Sequence, residues 1–370
     1  MTEETRMRKI AEGIQTDTYH KKRTYQGEWY SLRSLIGNCP WAIFFALLGG
    51  REAGKSYAVT KFFVHQWKVK KRPFYWLRLT EASQKKLLNN NAEKLIDPDI
   101  RRSYNLDIET KGDGVYEVLE RDDKGKVTKK ALMGRVLALS TFYNDKGSGL
   151  FDKDFLNDPN MWYNLCLDEM NREANEKNSF DILYAFVNQL ENLVRSTKTR
   201  IRVFMIGNTL QEASDIMCGF NFIPEHFGRY YLKKKRCVID YIEPSAKYLE
   251  RRKGTIADIL MPTSSTFTNA IETDKSCVCK EKFYKPGKLI IFSKDKSEWF
   301  TVWDGTKIAK WKGEKLPKVA MRPYLDEPYY PDLMKDIVQI FDSRIFKFKD
   351  LITFKMFQKC IQELKPRKQG

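Results

Sequence analysis

A phosphate-binding pattern is the feature of this sequence that most directly predicts chemistry. The run GGREAGKS at residues 49–56 fits G-x-x-x-x-G-K-[ST] and directly follows the apolar run of residues 41–48. Glycines let backbone N–H groups curl around phosphates, Lys55 would neutralise β- and γ-phosphate charge, and the Ser56 hydroxyl would bind Mg²⁺. We therefore predict a nucleoside triphosphate site, the alternative being a Gly-rich turn without a ligand. The predicted nucleotide-binding residues of this loop are Gly49, Gly50, Arg51, Glu52, Ala53, Gly54, Lys55 and Ser56.

Two acids follow a second apolar run. Residues 163–167, YNLCL, lead directly into Asp168 and Glu169, which is typical of a Walker B strand. Phosphoryl transfer needs charge stabilisation and an aligned water, so we assign Asp168 with Ser56 to Mg²⁺ and Glu169 to the attacking water. The alternative is a pair of surface acids that cap a strand. Asn208, after the next apolar run, would sense the γ-phosphate by hydrogen bonding, although asparagine is also common in turns.

A further cation is expected at the γ-phosphate, because one lysine leaves charge in the transition state unbalanced. Arg195, at the end of the helix that follows Glu169, is the first candidate, and a neighbouring subunit would supply it. The alternative is that Arg195 only complements the partial negative charge at the C-terminus of that helix. Lys146, in the Gly-rich loop of residues 144–149, is the second candidate, although loop lysines are often only solvated.

These residues require a scaffold in which strands and helices alternate. Such alternation predicts an α/β fold with a parallel sheet flanked by helices, and the carboxyl ends of its strands would bring Gly49, Asp168 and Asn208 to one edge. The turns near residues 111–114 and 123–125 predict an inserted hairpin before a core strand. The predicted strands are residues 41–48, 74–79, 135–140, 163–168 and 201–207, and the predicted helices are residues 55–70, 81–96 and 179–194.

The alternation of predicted strands and helices becomes less clear beyond residue 208, and a basic stretch follows. Nine Lys and Arg residues lie within residues 229–253, after which short β-like runs and helices near 331–341 and 344–362 predict a second, small α+β domain. The predicted division is an N-terminal lead (1–35), a P-loop ATPase domain (36–243), a basic linker (244–272) and a C-terminal α+β domain (273–370).

The charge balance favours a polyanionic partner. The chain has 66 Lys and Arg against 48 Asp and Glu, a net charge of +18, so nucleic acid is the leading candidate and a merely soluble basic protein is the alternative. No apolar run is long enough to span a membrane, and residues 1–23 lack the apolar centre of a secretory signal, which predicts a cytoplasmic protein. The seven cysteines are expected to be reduced, and Cys277-Val-Cys279 lacks the second pair that a zinc site needs.

The order of these motifs resembles a known family. GGREAGKS, then NLCLDEM, then a helix ending in Arg195, then RIRVFMIGNT is similar to the DNA-packaging ATPases of phi29-type phages, which belong to the additional-strand class of P-loop ATPases and are related to terminase large subunits. The resemblance is collinear over about residues 25–255 and includes the Lys146 loop and the stretch Glu-Arg251-Arg252-Lys253.

The resemblance implies a molecular motor. It would be a homomeric ring, a pentamer, docked on the portal of an empty capsid in the host cytoplasm, where ATP hydrolysis with Mg²⁺ pumps double-stranded DNA inward, with a capsid-bound RNA as a further partner. Carried over by position, Lys55 and Ser56 are the phosphate-loop contacts, Asp168 and Glu169 the Walker B acids, and Arg195 and Lys146 the cations acting in trans.

Two regions depart from the family pattern or follow it only loosely. Glu81 stands where a basic residue would grip DNA, so Lys85 and Lys86 are the predicted DNA-binding residues. The C-terminal domain would be a vestigial, RNase H-like nuclease fold without its metal-binding acids, and no nuclease activity is expected. The alternatives are another ring-forming ATPase, such as a helicase or DNA-partition motor, and a nucleotide-gated nucleic-acid-binding protein with negligible hydrolysis.

Overall fold

The computed structural model describes most of the chain and divides it into two compact units. The first comprises residues 1–216 and 224–272, and the second residues 217–223 and 273–370. Each unit is treated by itself below. The residues described are 18–21, 28–145, 162–171, 180–194, 201–208, 214–224, 226–260, 276–279, 290–292, 299–303, 307–310 and 331–364.

The first unit is built on a ten-stranded sheet. Its order is β1-β9-β10-β2-β8-β7-β3-β6-β5-β4, and every neighbouring pair from β10 to β6 is parallel. The strands are β1 (Thr18–Lys21), β2 (Phe44–Leu48), β3 (Phe74–Arg78), β4 (Ile108–Lys111), β5 (Gly114–Arg121), β6 (Val127–Ala138), β7 (Tyr163–Asp168), β8 (Ile201–Gly207), β9 (Gly228–Leu232) and β10 (Cys237–Tyr241). The predicted α/β fold with a mostly parallel central sheet is confirmed.

The helices of this unit join or flank those strands. β8 lies between β2, which leads into the phosphate loop, and β7, which ends in the acids. The helices are α1 (Arg33–Asn38), α2 (Lys55–Lys70), α3 (Glu81–Ala92), α4 (Pro98–Tyr104), a 3₁₀ helix (Leu139–Asp145), α5 (Ile182–Val194), α6 (Asp215–Gly219), of which the last three residues fall in the second unit, α7 (Ala246–Arg252) and α8 (Ile256–Leu260).

Aromatic packing fixes α2 on the sheet. Val59, Phe63 and Trp67 recur every fourth residue and are buried, as the apolar face of a helix requires. The ring of Phe63 lies 5.4 Å from that of Phe74 in β3 and 5.6 Å from that of Phe204 in β8. Because the first turn of α2 carries Lys55 and Ser56, this packing also positions the phosphate loop.

Three details differ from the sequence-based expectation. β6 runs without interruption from Val127 to Ala138, so the predicted hairpin arm and core strand are one strand. The helix predicted over residues 81–96 ends at Ala92, and Pro98 begins a separate helix, α4, which is capped because the Asp97 carboxylate accepts a hydrogen bond from the Asp99 N–H at 2.8 Å. The predicted linker contains α7 and α8, both within the first unit; the four-part division itself stays a prediction.

The second unit contains a four-stranded sheet of order β11-β12-β13-β14. Neighbouring strands are antiparallel except β13 and β14, which are parallel. Its core includes Phe300, Ile308, Phe348 and Phe357. The predicted helix near 344–362 begins only at Leu351, because β14 precedes it. The elements are β11 (Ile290–Phe292), β12 (Trp299–Trp303), β13 (Lys307–Lys310), α9 (Pro331–Asp342), β14 (Lys347–Phe348) and α10 (Leu351–Leu364).

Within the described residues, no helix combines the length and apolar character needed to cross a membrane. The same part of the chain holds no cluster of three or more His, Cys, Asp or Glu side chains arranged to bind a metal ion.

Candidate nucleotide site

The phosphate loop connects β2 to α2 through backbone conformations that few residues adopt. Glu52 and Gly54 have φ values of 61° and 84°, which curl the chain between strand and helix. At Gly49 an added Cβ would lie 3.0 Å from the Cβ of Ile242, so a larger residue would displace the neighbouring backbone or side chain. The loop therefore has the tight curvature that phosphate binding by backbone amides requires.

Lys55 lies inside the loop. Its side chain is buried, and Nζ donates hydrogen bonds to the carbonyl oxygens of Gly49 at 2.9 Å and Gly50 at 2.5 Å. Burial lowers the pKa of Lys55 to about 8, and the charge of Asp168 opposes that shift. The ammonium is thus held within the cradle, where it can exchange carbonyl partners for phosphate oxygens.

Ser56 and Asp168 meet across the site. The Ser56 Oγ donates to Asp168 Oδ1 at 3.2 Å, which joins the first turn of α2 to the end of β7. Asp168 is buried; this burial raises its pKa, whereas Arg78 and the Ser56 hydroxyl act in the opposite direction. A hydroxyl and a carboxylate are the oxygen ligands that Mg²⁺ prefers, so these two residues fit a magnesium site.

Arg78 is a site residue that the sequence reasoning missed. It ends β3, and its Nη1 lies 2.8 Å from Asp168 Oδ2 while its Nη2 is hydrogen-bonded to Glu169 Oε2. Glu169 itself has a φ of 56°, so the chain turns sharply directly after β7. The available signal was a single arginine at the carboxyl end of an apolar strand next to the acid strand.

Lys55, Ser56, Asp168 and Glu169 line one open cleft with a volume of about 440 Å³. Asn208, which directly follows β8, also lines it. The parallel pairing of β2, β8 and β7 brings Gly49, Asp168 and Asn208 to one edge of the sheet, as predicted. The Asn208 backbone oxygen accepts a hydrogen bond from the Asn171 side chain at 3.2 Å. The lining residues are Arg51, Glu52, Ala53, Gly54, Lys55, Ser56, Tyr57, Asp168, Glu169, Ile206 and Asn208.

The remaining predicted residues lie elsewhere. Arg195 and Lys146 fall outside the described residues. Lys85 and Lys86 are exposed on α3 and do not line the cleft, and Lys85 Nζ lies 3.9 Å from Glu81 Oε2, one helical turn away.

The whole chain can be compared with solved structures. It superposes on the Phi-28 gp11 DNA packaging motor with a TM-score of 0.60 and 15% sequence identity, over 93% of this chain and 100% of that one. For the bacteriophage Phi-29 viral genome packaging motor assembly the TM-score is 0.56 and the identity 18%, over 92% and 100%. This protein has the fold of phage DNA-packaging motors. No protein-family model and no curated relative matches the sequence.

The similarity to packaging motors is a similarity of fold. The chemistry that this protein can perform is inferred from the groups in its cleft. The cleft offers curled backbone amides, a buried ammonium, a hydroxyl–carboxylate pair and a second carboxylate held by an arginine. Such a set can bind a polyphosphate with its metal ion and can polarise a water molecule next to it.

Proposed function

We propose that this protein is an ATP-driven motor that moves double-stranded DNA into a phage capsid. The observation that carries the proposal is the cleft, in which the phosphate loop, Ser56, Asp168 and Glu169 lie together. The position of the cleft in the fold supports the same function, because β8 lies between the strand that leads into the phosphate loop and the strand that ends in the acids. The fold also matches packaging motors over most of the chain.

In this proposal each residue has a defined task. The loop amides and Lys55 bind the β- and γ-phosphates, and Ser56 and Asp168 hold Mg²⁺, which when bound neutralises charge on the phosphates. Glu169 accepts a hydrogen bond from the attacking water and polarises it towards the γ-phosphate. Arg78 holds the Glu169 carboxylate, and Asn208 senses the γ-phosphate from the end of β8.

Hydrolysis in a ring would be shared between subunits. Arg195, with Lys146 as second candidate, would reach the γ-phosphate of a neighbouring subunit and balance the transition-state charge. We propose a homomeric pentamer docked on the portal of an empty capsid in the host cytoplasm, with a capsid-bound RNA as a further partner. The net charge of +18 suits these polyanionic partners, and Lys85 and Lys86 would contact DNA.

The second unit has a separate place in the proposal. We infer that it is a vestigial, RNase H-like nuclease domain that no longer cuts DNA.

A packaging assay tests the function directly. Purified empty capsids, genomic DNA, ATP and Mg²⁺ should yield filled, nuclease-resistant particles with the wild-type protein. The Glu169→Gln protein should still bind ATP. It should hydrolyse ATP about a hundredfold more slowly than wild type, because the attacking water loses its general base, and it should fill no capsids. Equal turnover of wild type and variant would refute the catalytic assignment. ATP turnover without filled particles would instead favour a helicase or a partition motor.

A further inference from the structure

The apex of the phosphate loop, residues 51–53, is held by side chains of α7. The Tyr248 hydroxyl donates to the carbonyl oxygen of Arg51 at 2.8 Å, and Arg251 Nη2 donates to that of Glu52 at 2.8 Å. Arg252 Nη1 lies 3.1 Å from the Glu52 carboxylate, and the Arg252 side chain is only 6% exposed. One short helix therefore contacts two successive residues of the loop through three side chains.

The loop is also held by the segment that precedes α1. The Tyr30 N–H donates to the carbonyl oxygen of Ala53 at 2.9 Å. The Arg251 guanidinium lies 3.9 Å from the centre of the Trp29 ring, and a Cβ added at Gly54 would lie 3.2 Å from that ring. Trp29 and Arg251 thus form a stacked pair beside the loop, which joins the two sets of contacts.

These contacts determine how the loop presents its N–H groups. Three consecutive carbonyls, those of Arg51, Glu52 and Ala53, bond to groups that do not line the cleft. In a trans peptide the carbonyl and the following N–H point in opposite directions. Fixing these three carbonyls therefore fixes the N–H groups of residues 52–54, all of which belong to the cleft lining.

Glu52 places a negative charge in the phosphate loop, and Arg252 offsets this charge. A carboxylate in a loop that receives phosphate repels the ligand. The buried Arg252 guanidinium pairs with this carboxylate and offsets its charge. In the sequence, Arg251 and Arg252 belong to the basic stretch of residues 229–253; in the structure both contact Glu52 of the phosphate loop.

We propose that α7 is a positioning element for the nucleotide: Tyr248 and Arg251 orient the loop's peptide groups, and Arg252 neutralises Glu52 so that phosphate can bind. This inference rests on the proposed nucleotide site and adds residues that do not themselves touch the nucleotide.

A double-mutant cycle tests the inference, with the affinity for mant-ADP and Mg²⁺ as the readout. Arg252→Gln leaves the Glu52 charge uncompensated and should weaken binding about tenfold. Glu52→Gln should bind at least as tightly as wild type, and Glu52→Gln combined with Arg252→Gln should regain affinity to within about threefold of Glu52→Gln alone. Arg252→Lys, which keeps the charge, should also stay within about threefold of wild type.

Lys247→Gln is the matched control: it removes a charge from the exposed face of the same helix and should leave the affinity for mant-ADP unchanged. The other outcomes separate this inference from the proposed function. If wild type itself binds no nucleotide, the proposed function fails. If wild type binds and Arg252→Gln binds equally well, or the double variant stays as weak as Arg252→Gln, only the positioning role is overturned.

A second variant covers the case in which Arg252→Gln does not fold. Tyr248→Phe removes only the hydroxyl that holds the Arg51 carbonyl, and it should weaken mant-ADP binding about threefold or more, the scale of one lost hydrogen bond. Unchanged affinity in a folded Tyr248→Phe protein would overturn the inference.

Discussion

Arg78 donates hydrogen bonds to both acids at the end of β7, Asp168 and Glu169, and so ties together two carboxylates that line the cleft. It pairs with the buried Asp168 and with Glu169, whose side chain is 57% exposed. An exposed carboxylate can adopt many rotamers. The hydrogen bond from Arg78 restricts those of Glu169 and so limits the positions at which Glu169 can polarise a water molecule. Arg78 is therefore a positioning residue for Glu169.

Arg78→Gln should lower the turnover of ATP by about tenfold to a hundredfold, because the water-polarising carboxylate of Glu169 loses its anchor. The affinity for mant-ADP without Mg²⁺ should change much less, because the phosphate loop keeps its contacts, whereas the affinity with Mg²⁺ also depends on Asp168, the second partner of Arg78. Steady-state hydrolysis and mant-ADP titration measure the two effects separately. Arg135→Gln is the matched control, since Arg135 lies on the neighbouring strand β6 and pairs with Asp113 outside the cleft. Turnover equal to wild type in Arg78→Gln would contradict the positioning role.

The residues that the sequence could identify are those whose chemistry follows from local spacing. The phosphate loop is contiguous, and Asp168 and Glu169 end an apolar run, so both groups could be predicted, and the structure brings them into one cleft. Arg78 contacts Asp168 from 90 positions away, and Arg252 contacts Glu52 from 200 away. No local pattern encodes such pairs, because they depend on which strands and helices become neighbours.

At the scale of elements, Glu117 joins α2 to the inserted β5. It accepts hydrogen bonds from Trp67 Nε1 at 2.7 Å and Lys68 Nζ at 2.5 Å, and Lys71 Nζ lies 3.6 Å away. Burial raises the pKa of Glu117, but the bonds from Lys68 and Trp67 and the charge of Lys71 outweigh it, so the pKa lies below its ordinary value of 4.5.

This lowered pKa predicts how stability depends on pH. The ionised carboxylate stabilises the folded state above the pKa that Glu117 has when unfolded, and this contribution is lost as pH falls through the lower folded pKa. Glu117→Gln should cost about 1–3 kcal/mol of unfolding free energy at pH 7, the scale of hydrogen bonds to a charged group. Urea unfolding between pH 7 and 3 measures it. The deficit should shrink towards the acid end; a deficit that grows there would contradict the pairing.

Element prediction succeeded where apolar runs have clear ends. β8 (Ile201–Gly207) has the predicted bounds, and β3 ends one residue early, at Arg78. β6 is one strand where the sequence predicts a hairpin arm and a separate core strand, because its pairing with β5 continues through Lys129 and Lys130. No helix was predicted after residue 96, although Asp97 followed by Pro98 is a typical helix start.

For the whole molecule, charge predicts how DNA binding responds to salt. If phosphate contacts dominate, the logarithm of the affinity should fall linearly with the logarithm of the salt concentration, and Lys85→Gln with Lys86→Gln should reduce that slope by about two. Fluorescence anisotropy of a labelled duplex at several salt concentrations measures it. Lys124→Gln with Lys126→Gln, at the exposed tip of the β5–β6 hairpin, is the matched control. An equal loss of slope in both double variants would contradict the specific role of Lys85 and Lys86.

The distance in sequence between the phosphate loop and its anchors determines how late in synthesis their contacts can form. Tyr30 bonds to Asp240 at a separation of 210 residues, and Glu52 pairs with Arg252 at a separation of 200. A nascent polypeptide that has emerged as far as Asn208 already carries every residue of the P-loop and acid motifs, yet it lacks these anchors. On the ribosome, the nucleotide pocket can therefore gain these anchors only after Arg252 has been synthesised, which leaves its early strands exposed to chaperones until then.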